Sequence, residues 1–350
     1  MTGFDCNYSC EYCYQNQKKG DECNHLTSND IDRVVDFYEW LGEKNNKKYI
    51  ITAIDIVGGE PLLPNNFEII KYLFDKFNNA QITITTNGTY LMKYFDLLNE
   101  NKDRVFLKVS IDGEKTQHYK RRKPANEAFY DMTIQAIRNM VNVGINIAVS
   151  CVFDATYLEY QSFLNELEEL GWPKRKNISL NLLPKLRCGS DGMDIAEVVE
   201  NISSLKTLYQ KDERVKCANY EKIIPGMNRF KRAIALAQEG KYIPYRCDAM
   251  YKPSYAFFPD GTIHFCIASM GEKGVVGRYR PNYEIYEDVV HLLKERRIDQ
   301  TPKCMQCKYR VFCNGECAAT SIDITGDVCG HNCGLWQDDT ILNCMDGIYG

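Results

Sequence analysis

Five short runs rich in β-branched residues, at positions 50–57, 82–86, 106–111, 146–153 and 177–183, recur through the first half of the chain. Their near-continuous apolar character predicts buried parallel strands. Amphipathic stretches lie between them. Residues 27–44 open on a Thr-x-x-Asp cap and place Ile31, Val34, Val35 and Tyr38 on one face, and residues 67–77, 91–98, 132–143 and 157–170 repeat the helical period. Five βα repeats predict an α/β fold, either a doubly wound sheet or a (β/α) barrel. In both, a ligand sits at the carboxyl ends of the strands.

Polar residues fall at those carboxyl ends. Gly58-Gly59-Glu60-Pro61 follows the first run, Thr86-Asn87-Gly88 closes the second, and Ser110-Ile111-Asp112-Gly113 closes the third. Each alone is an ordinary turn sequence; together, on three consecutive strands, they point at one mouth. A Gly-Gly pair exposes backbone groups to a ligand, and Glu60 adds an anion suited to an ammonium.

Composition bounds the chemistry. The 350 residues are enough for two or three domains, or for one barrel with an appendage. No stretch reads as a signal peptide or is apolar enough to span a bilayer, so the 16 cysteines suggest metal ligands in a reducing cytoplasm rather than disulfides. A net charge of −4 with interspersed signs gives no field to recruit nucleic acid or a membrane. The one basic run, Lys120-Arg121-Arg122-Lys123, reads most simply as a solvated face.

Cys6, Cys10 and Cys13, in C-N-Y-S-C-E-Y-C-Y, can hold three irons of a cubane and leave a fourth open. Structural zinc is the alternative, with Cys23 or His25 completing the set. A second group, Cys304-x2-Cys307-x5-Cys313-x3-Cys317, would by itself suit a zinc ribbon. Cys151, Cys344 and Cys23 read as ordinary thiols, and His264 as a structural histidine.

C-x3-C-x2-C followed by Gly-Gly-Glu-Pro resembles the radical S-adenosylmethionine superfamily, and Cys247, Gly261-x4-Cys266 and the later cysteines resemble its SPASM-type extension. The resemblance implies a partial (β/α)6 TIM-like barrel over residues 1–184, a connector over 185–245 and a Cys-rich auxiliary-cluster domain over 246–350. It implies S-adenosylmethionine and three 4Fe–4S clusters. Cys6, Cys10 and Cys13 would hold the first cluster. Cys247, Cys266 and Cys317 would hold an inner auxiliary cluster, and Cys304, Cys307, Cys313 and Cys333 an outer one, with Cys329 competing for the last place. The inner cluster lacks an obvious fourth ligand; Cys188 or Cys217 could supply it, or an open iron could accept a substrate thiolate.

For S-adenosylmethionine, the resemblance implies Tyr12 near adenine, Gly58, Gly59 and Glu60 at the methionine amine, and Ser110 and Asp112 at the ribose with Asn87 beside them. Arg122, four after His118, would meet the carboxylate, with Arg121 able to exchange roles. The implied activity is peptide maturation. A 5′-deoxyadenosyl radical would abstract hydrogen, and an oxidative crosslink, foremost a Cys thioether, would follow. Carbon–carbon or carbon–oxygen crosslinking and formylglycine formation are the enzymatic alternatives; Ile267 after Cys266, where that last branch has an Asp base, counts against it. A non-catalytic iron–sulfur or zinc protein would need no such pocket. Expected partners are a precursor peptide and an electron donor such as flavodoxin or ferredoxin. No leader-binding domain is visible, so recognition is expected to rest on the barrel itself or on a separate leader-binding protein. With five residues ahead of Cys6, the first barrel strand is expected to be nearly absent, by truncation or replacement.

Overall fold

The computed structural model describes residues 1–13, 15, 25–153, 160–184, 200, 204, 207–208, 211–217, 227–315 and 317–330. In chain order the elements are α1 (Ser28–Asn45), β1 (Ala53–Ile56), α2 (Phe67–Lys76), β2 (Gln81–Thr86), α3 (Phe95–Glu100), β3 (Val105–Ser110), α4 (Lys115–Arg122), α5 (Phe129–Asn142), β4 (Asn146–Phe153), α6 (Tyr160–Glu169) and β5 (Ile178–Pro184). Then come α7 (Glu213–Cys217), α8 (Met227–Gln238), β6 (Ala256–Phe257), β7 (Thr262–His264), β8 (Val275–Arg278), β9 (Glu284–Ile285), α9 (Glu287–Glu295), α10 (Pro302–Met305), α11 (Arg310–Cys313) and α12 (Ala318–Thr325).

Strands β1 to β5 form one parallel sheet in sequence order. Each crossover carries at least one helix, and this is the βα repeat read from the sequence. Among the described residues the sheet has five strands and does not close, so it is an open, partial barrel rather than one with six strands. One face is sealed by helices. Ile84, Leu107, Val109, Val149 and Leu182 are fully buried there with Ile137, Met140 and Leu164 from the covering helices. Each such side chain contributes about 1.5–3 kcal/mol by leaving water. The opposite face carries Thr83, Thr85, Lys108, Ser110, Ser150 and Asn181, all half-buried.

Helix α1 starts where its cap predicts. The Thr27 hydroxyl accepts from Asp30 N at 3.2 Å, and the Asp30 carboxylate accepts from Thr27 N at 3.0 Å. This reciprocal cap contributes about 1 kcal/mol. The helix serves two cores: Ile31 packs under the parallel sheet, whereas Phe37 and Leu41 join a second cluster with Ile263, Phe265, Val276 and Tyr279. That second cluster lies on the antiparallel sheet β6–β7–β8–β9. Arg33 donates to Tyr279 O at 2.8 Å and Pro281 O at 2.7 Å, pinning α1 to the β8 end.

Residues 2–5 run beside the end of β1 without forming a strand. Thr2 N donates to Val57 O at 2.8 Å, Gly59 N to Gly3 O at 2.9 Å and Glu60 N to Asp5 O at 2.7 Å. No helix among the described residues is long and apolar enough to cross a membrane.

Candidate active site

The cysteine loop is held from both sides. Gly58 and Gly59 allow the N-terminal segment to press against the turn after β1. A Cβ on Gly59 would stand 2.2 Å from Asp5 O, and one on Gly58 would stand 2.5 Å from the Thr2 hydroxyl. The glycines therefore serve close backbone approach, and the Gly59 and Glu60 N–H groups are taken up by that segment. On the other side, Ser9 N donates to Arg122 O at 3.2 Å and Glu11 N to Arg121 O at 3.0 Å, and Tyr8 bridges Pro124. Cys6, Cys10 and Cys13 are half-buried thiols in this loop.

Asp112 lies fully buried just after β3 and organises the region above the loop. Its Oδ2 accepts from Arg122 Nε at 3.0 Å and from the Tyr12 hydroxyl, and Oδ1 accepts from Val152 N at 2.9 Å. Burial pushes this carboxyl up, but Arg122 and Arg121 with these hydrogen bonds outweigh it, so it sits below the usual carboxylate range. Burial acts against the Arg122 charge, and Asp112, Tyr12 and Cys10 more than restore it. Cys10 thus lies within the field of Arg122, a cation suited to an anionic thiolate cluster.

His118 and Arg122 share one face of α4 at i, i+4 spacing. Asp112 N donates to His118 Nδ1 at 3.2 Å, which fixes the proton on Nε2. Burial and then Arg122 lower the imidazole to about 3, so it is neutral. The basic run is therefore not a uniform solvated face: Lys120 and Lys123 are exposed, but Arg122 is 7 % exposed and Arg121 lies over the Tyr12 ring at 5.0 Å. Helical geometry splits the run between two faces.

Glu60 forms a second buried node. Its carboxyl accepts from Leu62 N at 2.9 Å, the Thr86 hydroxyl at 2.6 Å and Asn87 N at 2.7 Å, tying the ends of β1 and β2. Burial pushes it up to about 7 despite these donors. The Asn87 amide reaches Asn7 Oδ1 at 2.7 Å, linking this node to the cysteine loop. Ser110 is half-buried on the open face, opposite Ser150.

The later cysteines gather in part. Cys266 is held above its ordinary value by burial and by the neighbouring Cys317 and Cys247, so these three lie close together. Cys304 is buried in α10, Cys307 is exposed, and Cys313 ends α11. Cys329 is exposed. Cys333, Cys188, Cys23 and Cys344 lie outside the described residues, as does the Cys217 side chain. Cys151 is fully buried on β4, and His264 is 3 % exposed with Nε2 at 3.1 Å from the Thr262 hydroxyl.

A single zinc draws its sulfurs to about 2.3 Å. Structural zinc would take Cys23 or His25 as its fourth ligand, and Cys23 lies outside the described residues. Three thiols on one short loop, backed by Arg122, fit a cluster that leaves one iron open.

Sequence reasoning missed Arg296. It is 3 % exposed, donating to Val328 O at 2.6 Å, Gly330 O at 2.7 Å, Gly315 O at 2.8 Å and the Ser321 hydroxyl at 2.9 Å. It ties together the segments that bear Cys313, Cys317 and Cys329, and no motif marks it.

The profile of the Radical SAM superfamily matches residues 2–179. The chain belongs to the radical SAM superfamily. This radical SAM protein is 33% identical over 144 residues to a probable GTP 3′,8-cyclase of Methanococcus aeolicus, covering 40% of this chain and 44% of that one. It is 25% identical over 224 residues to the GTP 3′,8-cyclase of Staphylococcus saprophyticus, covering 59% and 58%. The chain thus spans about half the length of these curated relatives.

Among solved structures, native anSMEcpe with bound AdoMet and Kp18Cys peptide superposes with a TM-score of 0.66 at 17% identity, covering 99% of this chain and 96% of that one. Streptococcus suis SuiB bound to precursor peptide SuiA gives 0.54 at 15% identity, covering 92% and 71%. The whole described architecture, with its cysteine-bearing C-terminal part, therefore has the fold of these proteins.

Proposed function

We propose that this radical SAM enzyme modifies a cysteine-containing peptide by an oxidative crosslink, foremost a thioether. The reading rests on fold likeness that runs through the C-terminal part of the chain to proteins whose structures hold peptides. Residues 1–184 would form the radical-generating unit, 185–245 a connector and 246–350 a unit with two auxiliary clusters. Cys6, Cys10 and Cys13 would hold the first 4Fe–4S cluster; Cys247, Cys266 and Cys317 the inner auxiliary one; Cys304, Cys307, Cys313 and Cys333 the outer. Bound together, cluster and S-adenosylmethionine supply a carbon-centred radical that removes a substrate hydrogen.

The protein's part is positioning. Arg122 balances the thiolates of the loop, the Asp112 node orders Tyr12 over the mouth, and the Glu60 node fixes the turn that the loop leans on. An electron donor of the flavodoxin or ferredoxin kind and a leader-binding protein complete the expected partners.

GTP cyclisation is the second reading, favoured by the sequence relatives. Anaerobic reconstitution decides between them. About twelve irons per chain are expected for three cubanes, with S-adenosylmethionine cleavage that disappears in Cys6→Ala, Cys10→Ala and Cys13→Ala variants. A peptide that loses a pair of hydrogens while its Cys resists alkylation supports the thioether. An aldehyde points to formylglycine, and consumption of GTP with no peptide product overturns the proposal.

A further inference from the structure

Strands of a parallel sheet are ordinarily apolar on both faces, because helices cover both. Here, among the described residues, helices seal one face of the sheet. On the other, Lys108 stands at the middle of the central strand β3, half-buried, with Thr85 of β2 and Ala148 of β4 beside it in register. Lysine is almost never fully buried without a partner, and Lys108, half-buried, has only uncharged side chains in register beside it. Among the described residues the Lys108 ammonium has no hydrogen bond or ion pair. Asp55 on the same face is exposed, registers with Thr83 rather than Thr85, and stands two strands away.

The next inward position of β3 is Ser110, which registers with Ser150, itself in register with Asn181. Two residues of strand span about 7 Å, so the Lys108 backbone lies about that far below Ser110, and the Asp112 node follows directly. Among the described residues the face thus offers hydroxyl and amide groups near one cation without an ion pair, below the mouth where the cysteine loop sits.

We infer that Lys108 is a specificity-determining residue that binds a carboxylate side chain of the peptide substrate, at a fixed offset from the residue presented to the mouth. This rests on the peptide-modifying reading. An ammonium paired with one carboxylate on this half-buried face would favour the acidic peptide over its amide twin by about tenfold, or 1.4 kcal/mol. A lysine that merely solvated the face would be indifferent to that exchange.

The test uses the reconstituted full chain and a displayed library of random peptides with one fixed cysteine. Wild-type protein is expected to enrich Asp or Glu at one offset from the cysteine, and Lys108→Glu to enrich Lys or Arg there instead. This reversal is a gain of binding that a misfolded variant cannot produce. Equal enrichment by wild type and Lys108→Glu overturns the role of Lys108 while leaving the peptide reading intact. Failure of the wild type to enrich any peptide, with GTP bound instead, overturns both.

Discussion

Tyr12 and Asp112 stand 100 residues apart in the chain, and the phenol of the first donates to Oδ2 of the second, the oxygen that also accepts from Arg122. One carboxylate therefore joins the cysteine loop, the end of β3 and helix α4. Asp112→Asn is expected to destabilise the protein by about 3–5 kcal/mol, because it leaves the Arg122 charge buried without its counter-ion. Tyr12→Phe removes a single donor and should cost about 1 kcal/mol. Urea unfolding of both variants checks the order, and equal losses would contradict it.

Glu60 and His118 give opposite pH dependences. Glu60 ionises near 4.5 when unfolded and near 7 when folded, so its contribution falls as pH rises across that window. His118 titrates near 6.5 unfolded and near 3 folded, so its contribution falls as pH drops below 6.5. Between about 4.5 and 6.5 the two slopes cancel, each near 1.4 kcal/mol per pH unit at most. Denaturant unfolding across that range checks this by comparing each variant with the wild type, which shares every other titrating group. His118→Gln should lose stability as pH rises, and Glu60→Gln should gain it.

At Gly59 the prediction is steric. Alanine there would place its Cβ on backbone oxygens of Phe4 and Asp5, which have no flexible end to give way. A cost of about 1–3 kcal/mol is expected, concentrated in the loop. Hydrogen exchange should rise at residues 6–13 and leave β4 protected.

Arg296→Lys keeps the charge and loses the fork that reaches four acceptors. Alkylation of Cys313 and Cys317 should accelerate in the unreconstituted variant, whereas Cys307, already exposed, should react at its former rate. Unchanged rates at all three would show that the guanidinium does not hold this region together.

Much of the fold was legible because buried parallel strands and amphipathic helices leave strong periodic signals. The run 146–153 coincides with β4, and Thr27 caps α1 through the pattern that marked it. The misses have a common cause. Helix α4 is so polar that its pattern alone hid the buried His118–Arg122 face, which only the family resemblance marked and which Asp112 holds from the opposite side. Strands β6 to β9, two to four residues each, are too short to show alternation. At the site, Asp112 and Glu60 were legible by position, but the sequence did not show that their carboxyl oxygens are occupied by protein donors. Such pairing depends on contacts 27 to 40 residues away, between Asn87 and Glu60 and between Val152 and Asp112.

Because α1 is shared between two cores, the C-terminal part is not a module that can be cut away. A fragment ending near residue 245 would leave Phe37, Tyr38 and Trp40 facing water where Phe257, Tyr255 and Tyr283 now cover them. Such an aromatic strip invites aggregation. Exchanging C-terminal parts between relatives would therefore succeed only where helix α1 travels with them.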